Sequence, residues 1–573
     1  MSLLKYFFFA LFFCTGIVIQ AQNLEWAKTF GSFSIENAYS LTVDSSGNVY
    51  TVGDFYGTVD FDPNSTTFNL TAKGASDVYI QKLDSKGDLV WAKSMGGKAS
   101  DIGLDITIDE IGNLYIVGGF QDTADFDPDT STYNLIAGNS IHAFIVKLDS
   151  GGRFVWAKSF GNHPYTTTNV VDVELDHFGN IFTTGSYWGT IDLDPDTSTL
   201  NFTSNGITDC FVQKFDNKGN LLWAESLGSI YDDYGFSLQG DQLGNMYIVG
   251  QFRDTVDFNP DTSQLLIASN GAYDAFIQKI DSNNNLLWVK TLGGKKTDQI
   301  SDIGIDNLGA IYLLGAFEDT VDFNLGTAVH KIAPYSPNFV DAFILKLDTQ
   351  GNFNWVKTIQ GRNVVGATSI ATDLSGNIYS TGSFRDLVDF DPGSGVHNKR
   401  SNGVRASDYY LLKLDSSGNF IWVETFGGTQ NDNTNELVVD NLNNIYLCGE
   451  FHGTINLALA GNTTNNFPSN GQRDCFIQKL SEKTVVGINS QQLKHNSLAY
   501  PNPTSGSLNI DLDQSYSSSI IIIRELSGKI VLTKQFTSTN RLETNIENLR
   551  NGSYLMEVYI DKLAPQYLKV LKQ

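Results

Sequence analysis

Asn48-Val-Tyr-Thr-Val-Gly53 is the stretch that decides the fold, because it recurs along most of the chain. The same pattern, Asn-x-aromatic-x-x-Gly, begins again at Asn113, Asn180, Asn245, Ala310 (with Ala in place of Asn), Asn377 and Asn444. Gly53 and Gly449, the glycines that end the first and last copies, are 396 residues apart over six intervals, a mean of 66. A period of this length predicts an array of repeated supersecondary units.

One copy contains four predicted strands and no segment of helical periodicity. In the second copy, Ile102 to Asp109 alternates apolar and polar residues, which is typical of a half-buried strand. A tight turn leads to a second strand, Leu114 to Phe120, and a long polar connection leads to a third, His142 to Asp149. Another turn precedes the fourth strand, Phe154 to Ser159. Four antiparallel strands per unit, repeated seven times, favour an all-β fold, a seven-bladed β-propeller.

Three further markers recur with the same period. They are a lysine in the third strand (Lys82, Lys147, Lys214, Lys279, Lys346, Lys413, Lys479), an aspartate that ends the first strand (Asp44, Asp109, Asp176, Asp241, Asp306, Asp373, Asp440) and a tryptophan in the fourth (Trp26, Trp91, Trp156, Trp223, Trp288, Trp355, Trp422). The first tryptophan precedes the first complete unit, and the seventh unit has none of its own. We therefore expect the N-terminal strand, Leu24 to Thr29, to complete the seventh blade and close the ring.

The repeat resembles the SBBP family of β-propeller repeats. The matching residues in the first copy are Gly47 to Gly53, Thr58 to Phe61, Asp77 to Asp84 and Leu89 to Lys93, and the seventh copy departs most, with Ile455-Asn-Leu457 in place of Val-Asp-Phe. The resemblance covers residues 24–480 and implies a secreted propeller without an agreed activity.

The chain ends carry targeting signals. Lys5, the apolar stretch Phe7 to Ile19 and the small-residue site at Ala21 predict a signal peptide over residues 1–21, followed by a propeller over 22–480 and a linker over 481–497. Cys14 would suggest a lipoprotein, but the bulky Phe12-Phe13 before it disfavours that alternative. No other stretch is apolar for long enough to span a membrane.

Residues 498–573 follow a different pattern, with short strands separated by turns, which predicts a small β-sandwich. This segment resembles the type A C-terminal sorting domain of type IX secretion cargo, through Tyr500-Pro501-Asn502-Pro503-Thr504, Leu526 to Lys529, Gly552 to Tyr554 and Lys569 to Lys572. The resemblance implies export through the periplasm and across the outer membrane of a Bacteroidota-type bacterium by the type IX machinery. It also implies a secreted or cell-surface location.

Composition excludes several classes of function. The 63 acidic and 38 basic residues give a net charge of −25, which disfavours nucleic acid and anionic membranes as partners. Cys210, Cys448 and Cys475 are expected to be buried thiols rather than a disulfide framework. Signatures of zinc proteases, serine hydrolases and phosphate loops are absent from the sequence, and the seven histidines share no repeat position, so we expect no enzyme activity and no cofactor.

The connection after the second strand contains the strongest candidate for a metal site. Its aspartates alternate along the chain, as Asp125, Asp127 and Asp129 in one copy and Asp192, Asp194 and Asp196 in the next. Clustered carboxylate oxygens suit calcium. The EF-hand spacing fails, however, because the twelfth position from Asp125 is Ile136. The favoured alternative is that these residues end a strand and cap a turn, since a building role would also repeat.

Two functions remain open. The favoured one is a non-enzymatic binding or scaffold module for a glycan or protein, in which the lysines and tryptophans build the blades and the variable loops, such as Ser336 to Phe339 and Asn462 to Arg473, recognise the ligand. Trp188 is a candidate exposed binding aromatic because it lies outside the repeat phase. The alternative is a secreted glycan hydrolase or lyase with a carboxylate pair at one mouth of the channel.

Overall fold

The computed structural model describes residues 20–161, 166–196, 198–259, 263–403, 405–459, 465–484, 499–500, 504–516, 518–525, 530–560 and 566–572. Every regular element among them is a β-strand, so the prediction of an all-β fold is confirmed. Within this described part of the chain, no helix of a length and apolarity that would span a membrane occurs. The predicted signal peptide lies outside the described residues, except that the first strand already begins at Gln20.

Residues 20–484 contain seven consecutive antiparallel units, called units 1 to 7 here, each with four main strands. The first strands are Glu36–Val43, Ile102–Ile108, Thr167–Leu175, Tyr234–Gly240, Asp298–Ile305, Ser369–Thr372 and Asp432–Val439. The second strands are Val49–Asp60, Leu114–Asp125, Ile181–Trp188, Met246–Phe252, Ile311–Phe317, Ile378–Phe384 and Asn444–Phe451. The third strands are Asn69–Leu83, Asn134–Leu148, Asp209–Phe215, Asp274–Ile280, Asp341–Leu347, Asp408–Leu414 and Asp474–Thr484.

The fourth strands of units 1 to 6 are Leu89–Gly97, Phe154–Phe160, Leu221–Leu227, Leu286–Leu292, Phe353–Gly361 and Phe420–Gly428. In unit 7 the N-terminal strand Gln20–Phe30 takes this place and pairs antiparallel with Asp474–Thr484. Its register sets Trp26 opposite Lys479, as Trp91 stands opposite Lys82 in unit 1. The third strand of unit 7 therefore includes the first four residues of the predicted linker.

In units 3 to 7 the connection between second and third strands forms a short two-stranded ribbon, whereas in units 1 and 2 the long strands themselves continue into it. The ribbons are Thr190–Asp192 with Asn201–Thr203, Thr255–Asp257 with Leu266–Ala268, Val321–Asp322 with Lys331–Ile332, Leu387–Asp389 with Asn398–Arg400 and Thr454–Asn456 with Asn466–Pro468. These connections lie on the side where the first strands begin, and we call this side the loop face. The opposite side carries the tight turns, and we call it the turn face.

The hydrophobic core lies between neighbouring units rather than within any one of them. Between units 1 and 2, Val52 and Ile80 share a buried cluster with Ile116 and Phe120. The same type of cluster joins unit 7 to unit 1, where buried Tyr446 and Ile477 pack with side chains of unit 1 such as Tyr79. First strands of successive units contact one another, and the first strand of unit 7 contacts that of unit 1.

The C-terminal residues form a second compact unit with two antiparallel sheets. One sheet contains Ala499–Tyr500, Ser507–Tyr516 and Thr539–Asn545, and the other contains Ile530–Phe536, Ser519–Glu525, Gly552–Ile560 and Gln566–Lys572 in that order. Leu508 and Ile510 of the first sheet share a buried cluster with Ile521, Met556 and Val558 of the second. Two sheets around one core match the predicted sandwich.

Candidate functional site

The aspartates proposed as calcium ligands in unit 2 act as turn acceptors. Asp125 Oδ1 accepts hydrogen bonds from the backbone amides of Asp127 at 3.2 Å and Tyr133 at 2.9 Å. Asp127 Oδ1 accepts the amide of Asp129 at 3.0 Å, and Asp129 forms an ion pair with Lys93. These contacts are those of a strand end closed by Asx-type turns.

Unit 3 repeats the arrangement. Asp192 Oδ1 accepts the amides of Asp194 at 3.1 Å and Leu200 at 2.8 Å, Asp194 accepts the amide of Asp196, and Asp196 pairs with Lys158. Across the described residues, no three His, Cys, Asp or Glu side chains are grouped in a way that would hold a metal ion. The geometry supports the turn-capping interpretation, and calcium binding stays a prediction.

The recurrent lysines and tryptophans fasten each unit to the next at the turn face. All seven lysines lie over the aromatic ring at the start of the second strand of their own unit, with Nζ 4.5 to 5.1 Å from the ring centroid. Lys214 Nζ also donates to the Ser282 carbonyl of the next unit at 3.0 Å. Lys479 of unit 7 donates to the Ser85 carbonyl of unit 1 in the same way, at 3.3 Å.

The tryptophan of one unit packs against a turn glycine of the next. A Cβ added to Gly152 would lie 3.1 Å from the Trp91 ring, and one added to Gly87 would lie 2.9 Å from the Trp26 ring. Trp26 belongs to the N-terminal strand, so the contact between units 7 and 1 repeats the contact between units 1 and 2. These lysines and tryptophans have the structural roles that the sequence predicted.

The seven first strands surround a cavity of about 370 Å³ that opens toward the turn face. A second cavity of about 190 Å³ adjoins it on the loop-face side. One repeat position contributes the side chains where the cavities meet, namely Ser40, Asp105, Asp172, Ser237, Asp302, Ser369 and Glu436. Four carboxylates and three serines therefore surround one channel.

Hydrogen bonds between units engage all four carboxylates. Asp105 accepts Ser40 Oγ at 2.6 Å and the amide of Val173 at 2.8 Å. Asp172 accepts the amide of Leu238 at 2.7 Å, and it shares a hydrogen bond with Asp105. In the same way Asp302 accepts Ser237 Oγ and the amide of Ile370, and Glu436 accepts Ser369 Oγ.

Burial raises the proton affinity of this acidic channel. Loss of hydration, together with the neighbouring Asp105 charge, raises the pKa of Asp172 well above its usual range. Burial raises the pKa of Asp302 to about 6 and that of Glu174 to about 8. The channel therefore holds carboxyl groups that are partly protonated near neutral pH, and its negative charge is smaller than its composition suggests.

Five pairs of buried acids lie at the loop face, each at a boundary between units. The pairs are Asp77 with Asp101, Asp209 with Asp233, Asp274 with Asp298, Asp408 with Asp432, and Asp474 with Glu36, and every side chain is at most 1% exposed. The second acid of each pair accepts a loop amide, as Asp298 does from Gly294 at 2.6 Å. Burial raises the pKa of both Asp408 and Asp432 to about 7, and the Asp408 charge adds to the effect on Asp432.

A group of half-buried aromatic side chains distinguishes unit 4 on the loop face. The Arg253 guanidinium lies over the Tyr231 ring, 4.2 Å from its centroid, and 5.7 Å from the centroid of Tyr273. Tyr273 donates its hydroxyl to Asp232 Oδ2 at 3.3 Å. Beside them Tyr234 and Phe236 have nearly parallel rings, with centroids 6.0 Å apart. Phe236 also lines the smaller channel cavity. We call Tyr231, Tyr234, Phe236, Arg253 and Tyr273 the aromatic patch.

The sequence indicated one residue at an equivalent repeat position, Trp188, but not the patch itself. Trp188 is 47% exposed, as expected for a binding aromatic, and it occupies in unit 3 the position that Arg253 occupies in unit 4. That position lies three residues after the marker glycine. Its residue changes from unit to unit, with arginine occurring twice: Tyr56, Gln121, Trp188, Arg253, Glu318, Arg385 and His452. Aligning the copies at this position would have revealed the variation.

Other predicted sites have mixed outcomes. Cys210, Cys448 and Cys475 are buried and free, which confirms the prediction of thiols. In the loop Ser336 to Phe339 the Phe339 amide donates to the Ser336 carbonyl at 3.2 Å. Part of the other variable loop, residues 462–464, lies outside the described residues. Of the sorting motif, the structure describes the backbone of Tyr500, in a strand, whereas Pro501, Asn502 and Pro503 fall outside its described part.

The C-terminal residues 498–570 match the family of secretion system C-terminal sorting domains. The prediction of a type IX sorting domain is thereby confirmed, so the chain is type IX cargo and a secreted or cell-surface protein that the export machinery recognises. This match does not extend to the repeat units, whose SBBP resemblance stays a prediction.

Two curated relatives match parts of this chain. An uncharacterised WD repeat-containing protein of Acanthamoeba polyphaga mimivirus is 23% identical over 515 residues, which cover 76% of this chain and 36% of the relative. The regulatory protein FlaEY of Caulobacter vibrioides is 23% identical over 292 residues, covering 50% of this chain and 29% of that protein. The chain spans about a third of the length of the curated relatives it matches.

Solved structures from B. thetaiotaomicron also match over most of the chain. An extracellular domain assigned to a one-component system shares 10% identity at a TM-score of 0.14, covering 95% of this chain and 99% of that one. An extracellular domain assigned to a hybrid two-component system shares 10% identity at a TM-score of 0.17, covering 94% and 98%. TM-scores this low carry no argument about the fold.

Proposed function

We propose that residues 20–484 form a seven-bladed β-propeller that the N-terminal strand closes. Support comes from the boundary between units 7 and 1, where strand pairing, the Trp26–Gly87 contact and the Lys479–Ser85 hydrogen bond repeat the contacts made at other boundaries. A relative with WD repeats is consistent with a propeller of four-stranded blades. A signal peptide and a periplasmic intermediate complete the proposed route of export.

The propeller acts as a binding module rather than as an enzyme. The observation that carries this proposal is the aromatic patch, because partly exposed rings beside hydrogen-bonding groups are typical of recognition surfaces. Catalytic carboxylate pairs of glycosidases lie about 5 to 10 Å apart. Asp105 and Asp172 instead hydrogen-bond to each other and to backbone amides of neighbouring units, which suits a structural role.

A glycan array probed with the full secreted protein, with and without a calcium chelator, tests the proposed function. We expect binding to at least one class of glycan, no release of reducing sugar from the bound class, and no effect of the chelator. Release of reducing sugar would favour the hydrolase alternative. Absence of binding to every glycan, together with absence of a captured surface protein, would contradict a binding module.

A further inference from the structure

We infer that the aromatic patch binds an anionic glycan, with Arg253 as the residue that contacts the carboxylate or sulfate group. This inference rests on the proposed function and specifies the ligand of the same module. The first observation is that Arg253 forms no ion pair with any carboxylate among the described residues, although the chain carries a net charge of −25. Its guanidinium lies over the Tyr231 and Tyr273 rings instead, and it hydrogen-bonds to the Tyr273 hydroxyl, which itself donates to Asp232 Oδ2 at 3.3 Å.

The second observation is that the patch holds Arg253 in place before any ligand binds. Its backbone amide donates to the buried carboxylate of Asp233 at 2.9 Å, and its carbonyl accepts Ser229 Oγ. Cation–π contacts on two rings restrict the side chain further. An arginine restrained in this way loses little conformational freedom when its planar donors grip a carboxylate or sulfate.

The third observation is a pair of partly exposed aromatic rings near the cation. Tyr234 and Phe236 present nearly parallel rings, 6° apart in plane, and they lead from Tyr231 toward the channel mouth. The faces of pyranose rings are apolar on one side and pack on such aromatic rings. Because an acidic sugar combines that apolar face with an anion, it matches both parts of the patch.

The fourth observation is that further positive charge lies beside the patch. The backbone of Tyr273 pairs with that of Thr297, which follows the exposed side chains of Lys295 and Lys296. Lys296 Nζ donates to the Pro337 carbonyl at 3.0 Å, so the variable loop of unit 5 borders the same region. The two lysines offset the carboxylates of Asp232, which accepts the Tyr273 hydroxyl, and of Asp319, which accepts the Lys295 amide. With these charges balanced, Arg253 is the cation that an anionic ligand would meet.

The test measures binding of the full secreted protein to three probes by isothermal titration calorimetry. The probes are polygalacturonate, which carries carboxylates, dextran sulfate, which carries sulfates, and unmodified dextran, which is neutral. We expect binding to at least one charged probe, weakening with added salt, and none to dextran. The two charged probes distinguish a uronate ligand from a sulfated one.

Substitution of Arg253 identifies the site. R253A is expected to weaken binding to the charged probe about tenfold or more, since a charge-assisted contact is lost. R385A is the matched control because Arg385 occupies the same position in unit 6, where Asn363 and Ser407 stand at the repeat positions of Tyr231 and Tyr273. R385A should bind like the unchanged protein, and thermal unfolding of both variants checks that they fold.

Each remaining outcome is decisive. Binding to dextran alone, or R253A binding as tightly as R385A, would overturn the anionic subsite while leaving the proposed binding module intact. Failure to bind any of the three probes would also overturn the anionic subsite, whereas the proposed binding module falls only if the array and the capture of a surface protein fail as well. If R253A unfolds at a lower temperature, its weaker binding could reflect lost stability. Y231F and Y234A then test the same patch while keeping the cation, and Y234A must weaken binding.

Discussion

Removal of the Glu482 carboxylate should loosen the boundary between units 6 and 7. Other units place a turn between their third and fourth strands, and in units 1, 3, 4 and 6 the lysine of the neighbouring unit donates to a carbonyl of that turn, as Lys346 does to Ser416 at 2.9 Å. Unit 7 has no such turn because its fourth strand comes from the N-terminus. Glu482 takes over the role, with Oε2 2.7 Å from Lys413 Nζ and Oε1 3.2 Å from Trp422 Nε1.

The expected cost follows from burial. The side chains of Lys413 and Glu482 are 1% and 7% exposed, and removing one partner of a buried pair typically costs about 3 to 5 kcal/mol. Lys413 keeps Asp373, whose Oδ2 is 3.5 Å away, so the charge is not left alone. We therefore expect E482A to lower the free energy of unfolding by about 2 to 3 kcal/mol, and E482Q, which keeps an acceptor for Trp422, by less.

Urea unfolding followed by tryptophan fluorescence measures these differences. R400A is the control, because Arg400 and Asp386 form an ion pair at 60% and 39% exposure, and such pairs contribute about 0 to 1 kcal/mol. Equal midpoints for E482A and R400A would refute this account of the boundary.

Three further predictions concern stability and reactivity. Burial raises the pKa of Asp408 and Asp432 to about 7, so between about pH 4 and pH 7 the folded protein holds protons that the unfolded chain has released. The urea concentration at the unfolding midpoint should therefore decrease as the pH is raised from 5 to 8, and it should decrease less in D432N. A higher midpoint at pH 8 would contradict this. G152A should destabilise more than G57A in urea unfolding, because both glycines have positive φ but only Gly152 faces a ring, that of Trp91. The three buried cysteines should react with a thiol reagent only after unfolding, since burial raises each thiol pKa.

The repeat made most of the fold predictable, because each marker residue has one contact that recurs. The position of Trp26 ahead of the first complete unit was enough to predict that the N-terminal strand joins unit 7, and its pairing with the strand Asp474–Thr484 agrees. Glu482 was not predictable in the same way. It follows the last marker lysine, in residues assigned to a linker, and its role depends on a turn that is missing from unit 7 alone.

The candidate site was less predictable because its residues come from separate loops. Tyr231 lies in the connection before unit 4, whereas Arg253 and Tyr273 lie at opposite ends of the connection between the second and third strands of that unit. Trp188 attracted notice only as a tryptophan outside the repeat phase. A repeated residue indicates a contact that every unit needs. A binding surface, in contrast, forms at positions where no such contact requires a particular side chain, so its residues vary between units.

The acid pairs show how a repeated contact differs from a recognition residue. At the boundary of units 5 and 6, Val365 replaces the second acid, and Asp341 Oδ1 accepts the Gly361 amide itself at 3.0 Å. At the five acid pairs the equivalent amide goes to the second acid, as from Gly294 to Asp298. The acids are therefore repeated because they accept hydrogen bonds from the loop amides. The Arg253 side chain makes no comparable hydrogen bond to a loop amide. The residue at its position can therefore vary between units, and in unit 4 it is available to contact a ligand.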